Sequence, residues 1–145
     1  MKTILFVEDD AIIVQVYRAK FVREGFNVEV AQDGLTAMRL LPSVKPDLIV
    51  LDLMMPKFSG VDVLKFVRAE PTLKSTPVII LSNAYMTELA QQAAELGVEL
   101  ALLKSGCTPA QLLDAANKLL NGVALQTESS SRLAVKSFKE KWLHF

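Results

Sequence analysis

The chain has 145 residues, 51% of them hydrophobic and 22% charged, which suits one folded domain and argues against a disordered chain. Sixteen Lys plus Arg balance sixteen Asp plus Glu, so net charge makes no case for a nucleic-acid partner or an anionic membrane surface. The balance conceals a split: residues 1–128 hold 12 basic and 15 acidic side chains, net −3, and residues 129–145 hold four basic and one acidic, net +3.

In chain order, short apolar runs alternate with helical patterns. The first run, Thr3–Val7, meets Glu8-Asp9-Asp10 too early for a secretory signal, and no apolar run approaches membrane-spanning length, so a soluble, cytoplasmic protein with no membrane partner is expected. Ile13, Tyr17 and Phe21 then mark one face of a first helix, which Gly25 is placed to end. The second run, Val28–Ala31, ends in Gln32-Asp33-Gly34, a turn pattern. The third, Leu48–Leu51, is followed by Asp52 and then by a helix starting near Gly60 and marked by Leu64 and Val67. The fourth, Val78–Leu81, is followed by Ser82-Asn83 and a helix marked by Leu89, Ala93 and Leu96 with Gly97 beyond its end. The fifth, Leu100–Leu103, is followed by Lys104. The last helix has the clearest start: Thr108-Pro109-Ala110-Gln111 reads as a capping box with Pro at the first helical position. The lone Cys107 excludes an internal disulfide, fits a reducing compartment and reads as an inert thiol.

Five strand–helix units in alternation predict an α/β fold, a parallel five-stranded sheet with helices on both faces. The first, third and fourth runs are apolar almost throughout, as strands covered on both faces tend to be. In such sheets chemistry collects at the carboxyl ends of the strands. Those ends deliver Glu8-Asp9-Asp10, Asp52, Ser82 and Lys104 to one rim. Three neighbouring carboxylates repel one another unless a cation joins them, and an all-oxygen donor set suits a hard ion such as Mg²⁺. A carboxylate nucleophile, a metal, an ammonium and a hydroxyl together make a phosphoryl-accepting site. Each residue also has an ordinary reading: Asp10 mainly as a helix cap, Asp52 as the start of a turn, Ser82 as a cap of the fourth helix, Lys104 as a solvated charge. Their coincidence at equivalent strand ends favours the chemical reading.

These residues resemble the receiver domain of bacterial response regulators. The resemblance rests on Ile4-Leu5-Phe6-Val7-Glu8-Asp9-Asp10, on Asp47–Pro56 continuing to Ser59-Gly60, on Pro77–Ala84 and on Lys104, and it covers roughly residues 1–122. It implies a flavodoxin-like fold and a phosphorylation-dependent switch rather than an enzyme. Asp52 would take phosphate from a histidine kinase or phosphotransfer protein, and an unidentified downstream protein would read the result. Asp9, Asp52 and the Met54 main-chain carbonyl would bind Mg²⁺, Glu8 largely through water, and Ser82 and Lys104 would grip the phosphoryl oxygens. Two positions depart from the family pattern: Ser105 follows the lysine where Pro is usual, and Ala101 stands where an aromatic residue usually relays the signal.

Three other readings fit less well. An aspartate-nucleophile phosphohydrolase needs a second acid two residues beyond the nucleophile, and position 54 is Met. A flavin or nucleotide binder lacks a Gly-x-Gly or P-loop pattern. A receiver-like interaction module that signals without phosphate draws on Ala101 and Ser105 alone. Beyond Gly122, residues 123–131 read as a linker. Residues 132–145 read as an amphipathic helical tail with Val135, Phe138, Trp142 and Phe145 on one face, a candidate surface for dimerisation or partner docking.

Overall fold

The computed structural model describes residues 1–83 and 87–122, with the backbone of Trp142 and Leu143. In chain order the elements are β1 (Thr3–Val7), α1 (Ala11–Arg23), β2 (Asn27–Ala31), α2 (Gly34–Val44), β3 (Leu48–Leu51), α3 (Gly60–Ala69), β4 (Val78–Ser82), α4 (Glu88–Leu96), β5 (Leu100–Leu103), a single 3₁₀ turn (Lys104–Gly106), α5 (Pro109–Leu120) and β6 (Trp142–Leu143). The strands form one sheet in the order β2-β1-β3-β4-β5-β6, and every neighbouring pair is parallel. The expected five-stranded flavodoxin-like arrangement is therefore present, with β2 starting one residue earlier and β4 ending one residue later than the sequence suggests.

Strand alternation divides the core in two. Leu5, Val7, Ile49, Leu51 and Ile80 pack with Ala37 and Leu41 of α2, Val63 and Leu64 of α3, and Ala90 and Ala93 of α4. Ile4, Phe6, Val50, Ile79 and Leu102 pack on the opposite face with Tyr17 and Phe21 of α1 and with Leu112 and Ala116 of α5. Because both faces are covered, all of β3 and β4 is buried, which is why their sequences do not alternate. On the α1/α5 face, Phe21 stands edge-on to Phe6 at 5.3 Å between centroids.

Local signals set the helix starts. Asp10 caps α1, accepting from the amides of Ile12 and Ile13, and Asp33 caps α2, accepting from Thr36, so the turn read at Asp33 is also a helix start. Ser59 with Asp62, and Thr108 with Gln111, form capping boxes at α3 and α5. The cap of α4 is Thr87, whose hydroxyl accepts from the Ala90 amide. Ser82 is instead the last residue of β4, which removes its reading as that cap.

The end of the sheet opposite the acids is tied by Arg68 near the end of α3. Its guanidinium donates to the carbonyls of Lys74, Thr76 and Gly97 at 2.7–3.1 Å. Glu99, which accepts from the Val78 amide at 2.7 Å, lies 3.5 Å from the same guanidinium.

The linker read at 123–131 lies outside the described residues, as does nearly all of the helix expected over 132–145. Of that segment only the backbone of Trp142 and Leu143 is described; it is extended and pairs with Ala101 and Leu102 on the outer edge of β5.

Candidate functional site

Parallel pairing in register brings the carboxyl ends of β1, β3, β4 and β5 to one rim. Val7 is paired with Leu51, so Glu8 and Asp52 leave adjacent strands side by side, and the amide of Asp52 donates to the Val7 carbonyl at 3.0 Å. Ser82 is paired with Leu103, which puts Lys104 one step beyond Ser82 on the next strand. Glu8, Asp52 and Ser82 are the buried polar residues of the described chain, at 5%, 4% and 0% exposure. All three belong to this rim.

At its centre Lys104 bridges two acids. Its ammonium lies 2.9 Å from Glu8 Oε1 and 3.0 Å from Asp52 Oδ2, and its side chain is only 15% exposed. Burial pushes the Glu8 carboxyl above its ordinary value and the Asp52 charge adds to this, while Lys104 and the Asp10 amide oppose it. The Lys104 ammonium is held above its ordinary value, because the hydrogen bonds and charges of Glu8 and Asp52 outweigh a desolvation effect that acts the other way. The solvated-charge reading of Lys104 is thereby excluded.

Carboxylate oxygens of Glu8, Asp9 and Asp52 lie within 4.8 Å of one another. Glu8 and Asp52 are buried and Asp9 is exposed, so the cluster opens to solvent on the Asp9 side. An all-oxygen, acid-rich set of this size fits a hard divalent cation such as Mg²⁺. Asp10, the third acid of the run, is occupied as the cap of α1. The Met54 amide donates to Asp52 Oδ1 at 3.2 Å, which turns the chain around the acid, and the Met54 side chain is exposed.

Two residues outside the expected site, Gly60, read as a helix start, and Asn83, help to build the rim. Gly60 begins α3 directly against the Asp52 backbone: a Cβ there would sit 2.2 Å from the Asp52 carbonyl oxygen, so any side chain would displace Asp52 or the helix. Asn83 accepts from the Ser105 amide through Oδ1 at 2.9 Å, joining the segments that follow β4 and β5. The Ser59-Gly60 pair was visible in the sequence as part of a motif, whereas nothing local identifies a partner for Asn83 twenty-two residues away.

Of the two departures, Ala101 is 2% exposed and packs in the α2/α3/α4 core. Every described peptide bond is trans, that between Lys104 and Ser105 included. Cys107 is buried and its thiol is pushed up to about 11, which keeps it protonated near neutrality and matches its inert reading. No helix of the described residues is long and apolar enough to cross a membrane.

Known proteins agree with this arrangement. The family model of the response regulator receiver domain matches residues 4–117. The transcriptional regulatory protein CpxR of Klebsiella pneumoniae is 44% identical over 82 residues, 57% of this chain and 34% of that protein. The probable transcriptional regulator ycf29 of Pyropia yezoensis is 28% identical over 134 residues, 92% of this chain and 60% of that protein. The chain thus spans roughly a third to three fifths of the length of these relatives. Among solved structures, the receiver domain of the Francisella response regulator 1452 is 33% identical and superposes with a TM-score of 0.75, covering 84% of this chain and 98% of that one. With the match spanning more than three quarters of its length, the chain belongs to the response regulator receiver domain family.

Proposed function

We propose that the chain is a phosphorylation-dependent switch of a two-component system, in which Asp52 accepts a phosphoryl group from a histidine kinase or phosphotransfer protein in the cytoplasm. The observation that carries this reading is the Lys104 ammonium held 3.0 Å from Asp52 and 2.9 Å from Glu8 beside a three-carboxylate cluster. An Asp52 oxygen attacks phosphorus, the bond to the donor imidazole nitrogen breaks with its electron pair going to that nitrogen, and the imidazole leaves neutral after taking a proton from solvent. Lys104 exchanges one of its carboxylate partners for a phosphoryl oxygen, and the Ser82 hydroxyl serves a second oxygen. Asp9, Asp52 and the Met54 carbonyl would hold Mg²⁺, with Glu8 contributing largely through water. When bound, the ion supplies charge neutralisation between the acids and the incoming phosphoryl group.

The test is acetyl phosphate with Mg²⁺. One hydroxylamine-labile phosphoryl group is expected on the wild-type chain and none on Asp52→Asn or after chelation; full labelling of Asp52→Asn would falsify the assignment.

A second reading, an interaction module that signals without phosphate, draws on Ala101. With no ring at that position, phosphorylation has little to reorient on the α4–β5–α5 face. Beryllofluoride-induced amide shifts confined to the rim are expected; large shifts across Leu100–Leu102 and α4 would show a working relay by another route. The C-terminal segment is the candidate for dimerisation or partner docking. Truncation after Gly122 is expected to abolish self-association, read by sedimentation, and a chain that stays monomeric with and without the segment would overturn the docking reading.

A further inference from the structure

We propose that Asn83 is a positioning residue for phosphoryl transfer, capping from β4 the turn that carries Lys104 and so fixing the ammonium between Glu8 and Asp52. This rests on the proposed phosphoryl chemistry at Asp52 but concerns a residue outside it.

The 3₁₀ turn Lys104–Gly106 is poorly secured by its own residues. Leu103, at its cap position, offers no side-chain hydrogen bond, and the bond from the Cys107 amide to the Lys104 carbonyl at the end of the turn is long, at 3.4 Å. A single three-residue turn of this kind has unsatisfied amides at its start. The Ser105 amide is one of them, and Asn83 Oδ1 takes it at 2.9 Å. Asn83 reaches it because Ser82 and Leu103 are paired across β4 and β5, so Asn83 and Lys104 occupy the next rung and the Asn side chain spans one residue further.

The bond therefore lies one residue past each of two groups at the rim, Ser82 and Lys104. It ties their segments together where regular strand pairing has stopped. A Pro at 105 would have no N–H to give. Ser105 keeps the donor, and Asn83 supplies the acceptor on the neighbouring strand. Lys104 is a flexible four-carbon stem, so the direction of its ammonium depends on how firmly its backbone is held. Asn83 supplies that restraint from outside the carboxylate cluster.

Two measurements test the clamp. Amide exchange of Ser105, read by NMR, needs no phosphorylation: protection is expected in the wild type, loss in Asn83→Ala, and recovery in Asn83→Asp, which keeps the acceptor. Labelling of Asp52 by acetyl phosphate is expected to slow by roughly threefold to tenfold in Asn83→Ala, the scale of one hydrogen bond, with Mg²⁺ affinity unchanged. Ser105→Pro removes the same bond from its other end, so the double variant is expected to be no slower than the slower single one. Equal Ser105 exchange in wild type and Asn83→Ala overturns the clamp. Lost protection with an unchanged labelling rate, a matching fall in Mg²⁺ affinity, or single effects that multiply in the double variant overturns its positioning role. Failure of the wild type to be labelled overturns the phosphoacceptor reading instead, and Ser105 exchange still decides the clamp.

Discussion

The two ends of the sheet use the same residue types to opposite effect. At the amino ends of the strands, Asp47 accepts from the Thr3 amide, Glu99 accepts from the Val78 amide, and Arg68 donates to three carbonyls. Charges there are spent on backbone groups of other segments and stitch the chain together. At the carboxyl ends, Glu8 and Asp52 are buried beside each other, with one ammonium between them and an exposed third acid alongside. That end carries a concentration of like charge that stability alone does not call for. The contrast teaches how to separate a site from a staple: by asking what each charged group accepts from, rather than by counting charges.

Removing Lys104 should give the largest effect. Lys104→Met leaves two buried acids without their cation and the incoming phosphoryl group without its ammonium. Labelling of Asp52 by acetyl phosphate is expected to fall on the order of 100-fold to 1,000-fold, the usual consequence of deleting one preorganised donor. Denaturant unfolding should show a smaller loss, partly recovered by Mg²⁺. A variant labelled within a factor of a few of wild type would break the distinction between the two ends.

Arg68→Ala attacks the other end. Loss of charge-assisted bonds to the carbonyls of Lys74, Thr76 and Gly97 is expected to cost about 2–3 kcal/mol in urea unfolding, with the labelling rate of folded protein unchanged. A parallel fall in labelling rate would show that the ends are coupled.

Alkaline pH probes what lies beneath the carboxyl rim. The Tyr17 hydroxyl donates to the Cys107 carbonyl at 2.8 Å, and burial raises the Tyr17 phenol from 10.0 to about 12 and the Cys107 thiol from 9.0 to about 11. Both are acids whose folded-state values are raised, so the folded state keeps protons that the unfolded state gives up. Stability from these groups is therefore whole below pH 9.0 and falls as pH rises through the window to about 12, by up to about 1.4 kcal/mol per pH unit for each group. Cys107→Ala should flatten the lower part of that fall and Tyr17→Phe the upper part, as read from unfolding free energies against pH.

The smallest effect sharpens the comparison within a single run of acids. Asp10→Ala removes the cap of α1 and should cost about 1 kcal/mol while leaving labelling of Asp52 within a factor of two. Asp9→Asn, one residue earlier, is expected to weaken Mg²⁺-dependent labelling with little change in stability.

Much of this division could be read before any coordinates. The apolar runs at Leu48–Leu51 and Val78–Leu81 announced strands covered on both faces, because a buried strand has no solvent side on which to place polar residues. The acids, Ser82 and Lys104 were found by their position after such runs. Staples and clamps were not legible, since Arg68, Glu99 and Asn83 act on partners distant in sequence, and their backbone acceptors and donors look alike in every residue. Thr87, the cap of α4, is hard to tell from Ser82 in the sequence, since both precede the same apolar helical pattern and Ser82 also admits a cap reading; the extra strand residue separates them. The pairing of Trp142 and Leu143 with β5 was not legible either, since it joins residues some forty positions apart and the local spacing of three and four carries no mark of it.

That pairing has a practical consequence for handling the protein. Because β6 runs parallel to β5, the chain at Leu143 heads toward the end of the sheet where Lys104 stands, whereas Thr3 starts β1 at the far end. A polyhistidine run placed directly after the β6 residues would stand on the side of the acidic cluster and compete for its cations. The same tag placed before Met1 would sit a full strand length away, and is the arrangement in which metal binding and phosphoryl transfer can be measured without interference.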